Sequence, residues 1–157
     1  MQLALELAAA TLMVGVTVAV HLGGIAALLK LMQRHRASRA YRQRLLHEGA
    51  VIVGAAAGLF ILHAVEIWLY AGFYIAVDAI EGLEPALYFS TVSYTTVGYG
   101  DIVLDKTWRV VGAIESANGI ILLGWSTAFF VAVVGRIRGL EEMGQHSGPS
   151  APDQHVH

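Results

Sequence analysis

The chain lacks cysteine altogether and has few charged residues. Of its 157 residues, 14% are Asp, Glu, Lys or Arg and 56% are hydrophobic. Without cysteine, disulfide bonds, thiol catalysis and thiolate metal sites are excluded, and the redox compartment stays undetermined. Because a soluble domain is about a quarter charged, this shortage of charge predicts a membrane protein, and the length suits one domain.

The N-terminus also lacks positive charge. No Lys or Arg precedes Lys30, and the first apolar run is longer than the hydrophobic region of a signal peptide. We therefore expect a first membrane helix that is retained, rather than a cleaved signal peptide.

Three apolar stretches are long enough to cross a bilayer, which requires about 20 apolar residues in a helix. They run from about Leu7 to Leu31, from Gly49 to Val77 and from Trp108 to Val134. The sequence therefore predicts an all-α integral membrane protein with three transmembrane helices.

The segment between the second and third stretches contains a short helix and a glycine-rich loop. Glu84-Pro85 indicates a helix start, because proline fits the first turn of a helix. The helix predicted for Ala86–Thr95 is too short to cross a bilayer, and the residues TTVGYGD occupy positions 95–101. Non-helical backbone at membrane depth is tolerated only where it is buried in protein or lines a water-filled path. The pattern therefore predicts a re-entrant pore helix followed by a pore loop.

With this loop between two spans, Gly49 to Arg138 resembles the pore domain of the tetrameric potassium channels in their small bacterial form, preceded here by one extra helix. The resemblance rests on TTVGYGD at positions 95–101. It implies a homotetramer that conducts K⁺ passively and is not an enzyme. It also implies K⁺ ions in place of any organic cofactor, and no nucleic-acid partner.

The resemblance places the ion sites in the loop itself, where backbone carbonyls replace the hydration shell of K⁺. The implied ligands are the carbonyls of Thr96, Val97, Gly98 and Tyr99, with the Thr96 hydroxyl at the inner end and Gly100 completing the loop. The residue types fit, since Gly98 and Gly100 allow backbone conformations that a Cβ disfavours. Val97 and Tyr99 are expected to pack outward against the pore helix.

Four further residues are expected to support the loop: Thr95, Asp101, Tyr88 and Val92. Some members of the resembled family place a Glu in the pore helix behind the filter, paired with the Asp that follows it. The aligned position here is Val92, so that pair is missing. Tyr88 is predicted to hydrogen-bond Asp101 instead, which implies a differently braced filter.

The placement of the charges predicts an orientation in the membrane. Eight of the ten Lys and Arg residues lie in the linker after the first span or directly after the third. The positive-inside rule places those segments in the cytoplasm. We therefore predict a multi-pass protein of the cell membrane with its N-terminus outside, its C-terminus in the cytoplasm and a pore loop entering from outside.

Four segments follow from these patterns. They are an N-terminal transmembrane helix (1–32), a basic cytoplasmic linker (33–47), a pore domain (48–138) and a disordered cytoplasmic tail (139–157). Arg36, Arg39 and Arg42 recur every three residues, as in a voltage sensor, but a polar linker that can bind anionic lipid is favoured. The candidate lipid-binding residues are Arg34, Arg36, Arg39, Arg42 and Arg44.

Three ionisable residues inside the spans are candidates for function, because such residues are costly in a membrane. His63 and Glu66 lie one helical turn apart on the second span, and Glu115 lies on the third. Each is interpreted as a buried brace for the pore helix or as a pH-sensing group, with the brace favoured. Gly119 and Gly124 are candidate gating hinges, and close helix packing is the equally weighted alternative.

The seven histidines show no metal signature in the sequence. His21, His35, His47 and His63 are scattered, and the remaining three lie near the C-terminus. Weak adventitious metal binding by the tail is the most that this pattern predicts.

Two alternatives to a K⁺-selective channel stay open. One is a weakly selective cation channel, since selectivity depends on the number of intact filter sites. The other is a non-conducting accessory subunit of a potassium transport system. The intact Tyr99 argues against the first, and a single intact loop argues against the second. The gating stimulus and the docking site of the first helix are not determined by the sequence.

Overall fold

The structure, a computed structural model, describes residues 1–34 and 41–146, and the side chains of residues 1–33 and 49–136. The described residues form four α-helices and no strand. They are α1 (Gln2–Arg34), α2 (Tyr41–Ala76), α3 (Leu83–Tyr94) and α4 (Arg109–His146). This confirms the predicted fold class of three long helices and one short helix.

Three of the helices are long and apolar enough to cross a membrane. Their apolar parts, Gln2–Gln33, Gly49–Ala76 and Arg109–Arg136, coincide with the predicted spans. α3 has only 12 residues and lies between the second and third of them. The chain is therefore a multi-pass membrane protein by length and composition of its helices.

The helix ends differ from the expected segment boundaries. α2 begins at Tyr41, inside the predicted linker, and α4 continues to His146. The prediction of disorder is thus corrected for residues 139–146, where Leu140, Glu141, Glu142 and Met143 have high helix propensity. The side chains of the five linker arginines, and residues 147–157, lie outside the described residues.

The turn between α2 and α3 depends on two residues with positive φ. Asp78 has φ 52 and lies just past α2, where Ala79 N donates to Tyr74 O at 2.8 Å. This is the hydrogen bond of a left-handed helix C-cap, a position that Asp tolerates. Gly82, with φ 90, precedes α3, so the helix starts at Leu83, three residues before the predicted Ala86.

α3 presents one buried stripe to the other helices of the chain. Ala86, Ser90 and Tyr94 are spaced four residues apart on this stripe and are fully buried. Residues at this spacing share one face of a helix. The stripe packs against α2 and α4, and the rings of Tyr70 and Tyr74 border it in the main hydrophobic core.

α1 packs against α2 and α4 of its own chain. The contact with α2 is close at two glycines, because a Cβ on Gly24 would lie 2.5 Å from Leu62 and a Cβ on Gly58 would lie 2.4 Å from Leu28. Among the docking sites that the sequence leaves open, the structure therefore places α1 on the pore domain of the same chain.

α4 has one buried face and one exposed face. The buried face consists of residues three or four positions apart: Val111, Glu115, Asn118, Leu122 and Ser126. The opposite face carries Ile120, Gly124 and Val131, which are exposed in the single chain. An apolar exposed face on a long helix is available to lipid, to a second subunit or to a pore.

Candidate pore loop and its supporting network

The loop at residues 95–101 has an alternating backbone. Thr96, Gly98 and Gly100 have φ of 62, 59 and 75, whereas Val97 and Tyr99 between them do not have positive φ. Alternation of right- and left-handed backbone turns successive peptide groups to a common side, and positive φ at every second residue is the part of that pattern which this loop has.

Thr96 is the strained member of this series. A β-branched residue rarely adopts positive φ, and such a conformation costs on the order of 1–3 kcal/mol. The two glycines adopt it without a Cβ penalty, and the structure leaves open space around both of their Cα atoms. The requirement for glycine at positions 98 and 100 therefore comes from the positive φ of the backbone, not from a lack of space for a side chain.

Hydrogen bonds tie the start of the loop to the end of α3. Thr96 N donates to Ser93 O at 2.9 Å, and Gly98 N donates to Val92 O at 3.2 Å. The Thr95 hydroxyl donates to Thr91 O at 2.7 Å. Val92 therefore supports the loop through its backbone carbonyl.

The loop is exposed in the single chain over its whole length. The Val97 side chain is 52% exposed and the Tyr99 side chain 73%. The expected packing of these side chains against α3 is thus not present within one chain. Exposed irregular backbone cannot face lipid, because its polar groups would lack partners.

The predicted hydrogen bond between Tyr88 and Asp101 is present. Tyr88 Oη donates to Asp101 Oδ2 at 2.7 Å, and Ile102 N donates to Asp101 Oδ1 at 3.1 Å. The Tyr88 bond holds the pKa of Asp101 below its usual value, and the carboxylate in turn raises the pKa of Tyr88. The C-terminal end of the loop is therefore attached to α3 through Tyr88, whereas Val92 offers no carboxylate.

Glu115 of α4 links two other helices at full burial. Tyr74 Oη of α2 donates to Glu115 Oε2 at 2.6 Å, and Ser90 Oγ of α3 donates to Glu115 Oε1 at 2.6 Å. Ser90 Oγ also lies 2.9 Å from Ile67 O. This is the geometry of the brace alternative, since the carboxylate holds the rear of the pore helix.

Glu66 of α2 makes a second buried link to α3. Its carboxylate accepts a hydrogen bond from the hydroxyl of Tyr94, and Tyr94 is the last residue of the pore helix. His63 Nδ1 lies 3.0 Å from Glu66 Oε2 and 2.9 Å from Tyr94 Oη. His21 Nδ1 of α1 lies 2.8 Å from Glu66 Oε1. The predicted pair His63 and Glu66 is therefore part of a larger cluster that includes α1.

Gly119 lies against the backbone of the pore helix. A Cβ at this position would be 2.1 Å from Tyr94 O and 2.9 Å from Tyr94 C, whereas a Cβ on Gly124 would meet nothing within 4 Å. Gly119 thus has a direct packing reason that Gly124 lacks. Of the two interpretations of Gly119, close packing has support in this geometry.

The sequence interpretation missed most partners of the two buried carboxylates. No motif points to Ser90, Tyr94 or Tyr74, nor to Ser126, whose Oγ lies 2.8 Å from His63 Nε2. The interpretation of the histidines as scattered is corrected for His21 and His63, whose ring centroids are 5.4 Å apart. The sequence of α3 does contain a signal for Ser90 and Tyr94, because they lie four positions apart and therefore on one face of the helix.

Three membrane-length helices around a short helix and a glycine-rich loop define the class of a pore-forming membrane protein. A family model described as "Ion channel" matches residues 59–136, so this part of the chain is similar to ion-channel pore domains with two transmembrane helices. The match covers α3, the loop and the flanking parts of α2 and α4, and α1 precedes it as an additional apolar helix. No curated protein and no solved structure matches the chain.

Proposed function

We propose that the chain is the subunit of a K⁺-selective channel in which four copies of the loop surround one axis. The observation that carries this is the run of alternating positive φ at Thr96, Gly98 and Gly100 in the sequence TVGYG. Four such loops provide the carbonyl ligands of a K⁺ filter. The ions move passively down their gradient, from one ring of oxygens to the next.

The exposure of the loop supports a homotetramer. One loop cannot surround an ion, and the loop has no protein cover in the single chain, with Tyr99 73% exposed. A closed ring of identical subunits covers it and leaves only the carbonyl side in contact with water. The exposed face of α4 around Ile120 and Gly124 then lines the ring below the loop or contacts the next subunit.

The orientation of α3 supports cation conduction. Its C-terminal residue Tyr94 immediately precedes the loop, so the carbonyl end of the helix faces the inner end of the filter. The C-terminal end of a helix carries partial negative charge, which favours a cation. The helix dipole and the carbonyl oxygens of the loop would both favour a positively charged ion.

The distribution of charge supports an outward-facing loop. Lys and Arg concentrate in the segments that follow α1 and α4, and acidic residues such as Asp78, Glu81 and Glu84 concentrate near the loop. With the basic side in the cytoplasm, the N-terminus lies outside and the C-terminus inside. The linker arginines then lie at the inner leaflet, where anionic lipid attracts them.

The test is the reversal potential of the purified full chain in liposomes under opposed K⁺ and Na⁺ gradients. A K⁺-selective channel gives a reversal potential close to the K⁺ equilibrium value. Gly98→Ala is the loop variant, because φ 59 at this position disfavours any Cβ. Gly15→Ala is its control, since Gly15 lies in α1 and a Cβ there would meet nothing within 4 Å.

Each alternative function predicts a different result. A reversal potential that follows Na⁺ as closely as K⁺ identifies the weakly selective cation channel. Reproducible absence of current, with tetramers present by mass measurement in detergent, favours the accessory subunit. Equal selectivity of the Gly98→Ala and Gly15→Ala variants contradicts the assignment of the filter to this loop.

A further inference from the structure

The buried cluster around Glu66 supplies none of the proposed ion ligands. His21 comes from α1, and His63 and Glu66 come from α2. The side chains of His21 and Glu66 are 0% exposed and that of His63 is 12% exposed. The cluster therefore joins the additional helix to the pore domain at a site from which water is largely excluded.

Three metal-ligating groups converge in this cluster. The nitrogen and oxygen donors of His21, His63 and Glu66 lie within 4.8 Å of one another. The two Nδ1 atoms are 2.8 Å and 3.0 Å from the two oxygens of the same carboxylate. Two imidazoles and one carboxylate are a donor set used for zinc, and also for other divalent transition metals. Ligands placed about 2.1 Å from one tetrahedral metal are roughly 3.4 Å apart, so binding of a metal would widen these hydrogen-bond distances by about half an ångström.

A count of hydrogens leaves one imidazole nitrogen of the cluster without a donor when both rings are neutral. With both imidazoles neutral and both Nδ1–H groups donating to Glu66, each Nε2 needs a donor. Both Nε2 atoms face Ser126 Oγ, at 2.8 Å for His63 and 3.5 Å for His21. Since a hydroxyl has only one hydrogen, it can satisfy only one of the two nitrogens.

A metal bound at the two Nδ1 atoms resolves this count. Each imidazole then carries its proton on Nε2, and both Nε2–H groups donate to Ser126 Oγ, which has two lone pairs. A metal-ligating His almost always donates its second ring N–H to an oxygen in this way. Tyr94 Oη, 2.9 Å from His63 Nδ1, supplies an oxygen at the same position as a fourth neighbour.

We propose that His21, His63 and Glu66 form a binding site for a divalent transition metal of the zinc class, with Ser126 orienting both imidazoles. One extra proton on an imidazole also completes the hydrogen count, and it is the competing occupant. The metal is favoured because both imidazoles and the carboxylate converge within 4.8 Å of one another, a donor set that a metal uses in full and that an extra proton does not need.

The site gives α1 a defined role. A metal there connects His21 of α1 to α2, and through Tyr94 it reaches the residue that precedes the loop. Because a metal bound only by the folded state stabilises that state, occupancy would fasten the additional helix to the pore domain. This inference does not depend on K⁺ selectivity, since metal content can be measured in a protein that carries no current.

The experiment begins with the full chain, carrying a tag free of histidine and purified from membranes in detergent without chelators. Elemental analysis by mass spectrometry is expected to give about one zinc per chain. After removal of the metal, Zn²⁺ is expected to raise the thermal midpoint. Co²⁺ is expected to give visible absorption bands of a site with mixed nitrogen and oxygen ligands.

Two variants of α1 separate ligand loss from loss of packing. His21→Ala removes a ligand and is expected to lose the bound zinc and the Co²⁺ bands. Thr17→Ala is the control, because Thr17 is buried one turn earlier and contacts Asn118 at 2.8 Å but offers no ligand to the cluster. It is expected to keep the metal. Ser126→Ala is expected to keep the site with affinity lowered about 10–100-fold.

Three results would overturn the proposal. The first is wild-type protein with less than about a tenth of a zinc per chain that gains neither thermal stability from Zn²⁺ nor bands from Co²⁺. In that case the cluster holds a proton. The second is metal content unchanged in His21→Ala, which places the metal elsewhere, for example on the histidines near the C-terminus. The third is equal loss of metal in Thr17→Ala. If His21→Ala does not fold, the wild-type measurements alone decide.

Discussion

Substitution of Gly119 by alanine tests whether this residue is a spacer against the pore helix or a hinge. The new Cβ would lie 2.1 Å from Tyr94 O and 2.9 Å from Tyr94 C, both backbone atoms. Ordinary contact begins at 3.4 Å, so α4 and the end of α3 must separate by roughly 1 Å, and a close-packed interior resists such a shift. Tyr94 precedes the loop directly, so this displacement is transmitted to the carbonyls of Thr95 and Thr96.

The expected cost is set by two opposing effects. Overpacking of this kind costs about 1–3 kcal/mol, and replacing a helical glycine by alanine recovers about 1 kcal/mol. Gly124→Ala is the control on the same helix, because its Cβ meets nothing within 4 Å inside the single chain. The control should therefore gain stability, whereas Gly119→Ala should lose it or at best break even.

The assay compares the thermal midpoint of the tetramer and the K⁺/Na⁺ permeability ratio of both variants in liposomes. A spacer predicts a lower midpoint and an altered permeability ratio for Gly119→Ala alone. A hinge predicts reduced open probability with the midpoint and the ratio preserved. If Gly119→Ala matches Gly124→Ala in both measurements, the close approach to Tyr94 does not control the filter and the reasoning is refuted.

Two further predictions concern the hydrogen bonds that hold the loop and the pore helix. Because the Tyr88 bond lowers the pKa of Asp101, its contribution is complete above the ordinary pKa of Asp and is lost as pH falls through the lowered value. Tyr88→Phe should therefore move the acid limb of the single-channel conductance curve to higher pH, and an unchanged curve would count against this bond. Glu115→Gln turns an amide N–H₂ towards Tyr74 or Ser90, so one of those bonds is lost. The expected loss is about 1–3 kcal/mol of tetramer stability by thermal denaturation, with Ser90→Ala as comparison. Assembly and conduction that stay unchanged across pH in Glu115→Gln would contradict both the brace and the pH-sensing interpretations.

The parts of the fold that sequence predicts are those set by local patterns. Hydropathy alone places the three spans, and the short helix and loop follow from the motif and its length. The Tyr88–Asp101 hydrogen bond was also predictable. Asp101 ends the loop, and with Val at position 92 it needs another partner on the pore helix, which Tyr88 provides. Each of these inferences needs only residues near one another in the chain.

The buried network could not be predicted in the same way, because it depends on how the helices rotate against each other. His21 and Glu66 are separated by 45 positions, yet their side chains approach to 2.8 Å. Asn118 and Thr17 are separated by 101 positions and also meet at 2.8 Å. Both contacts require α1 to dock on α2 and α4 of its own chain, which the apolar sequence of α1 does not specify.

The network also bears on the absence of a carboxylate at Val92 of the pore helix. With Val92 in the pore helix, the carboxylates lie on the neighbouring helices instead, as Glu66 of α2 and Glu115 of α4. The pore helix supplies the hydroxyl donors, Tyr94 and Ser90, from its buried stripe. A typical intramolecular hydrogen bond contributes about 0.5–1.5 kcal/mol, and a buried acceptor left without its donor costs about 1–3 kcal/mol. The position of the pore helix is therefore controlled from both of its flanking helices, so a displacement of either one acts on the loop that follows Tyr94.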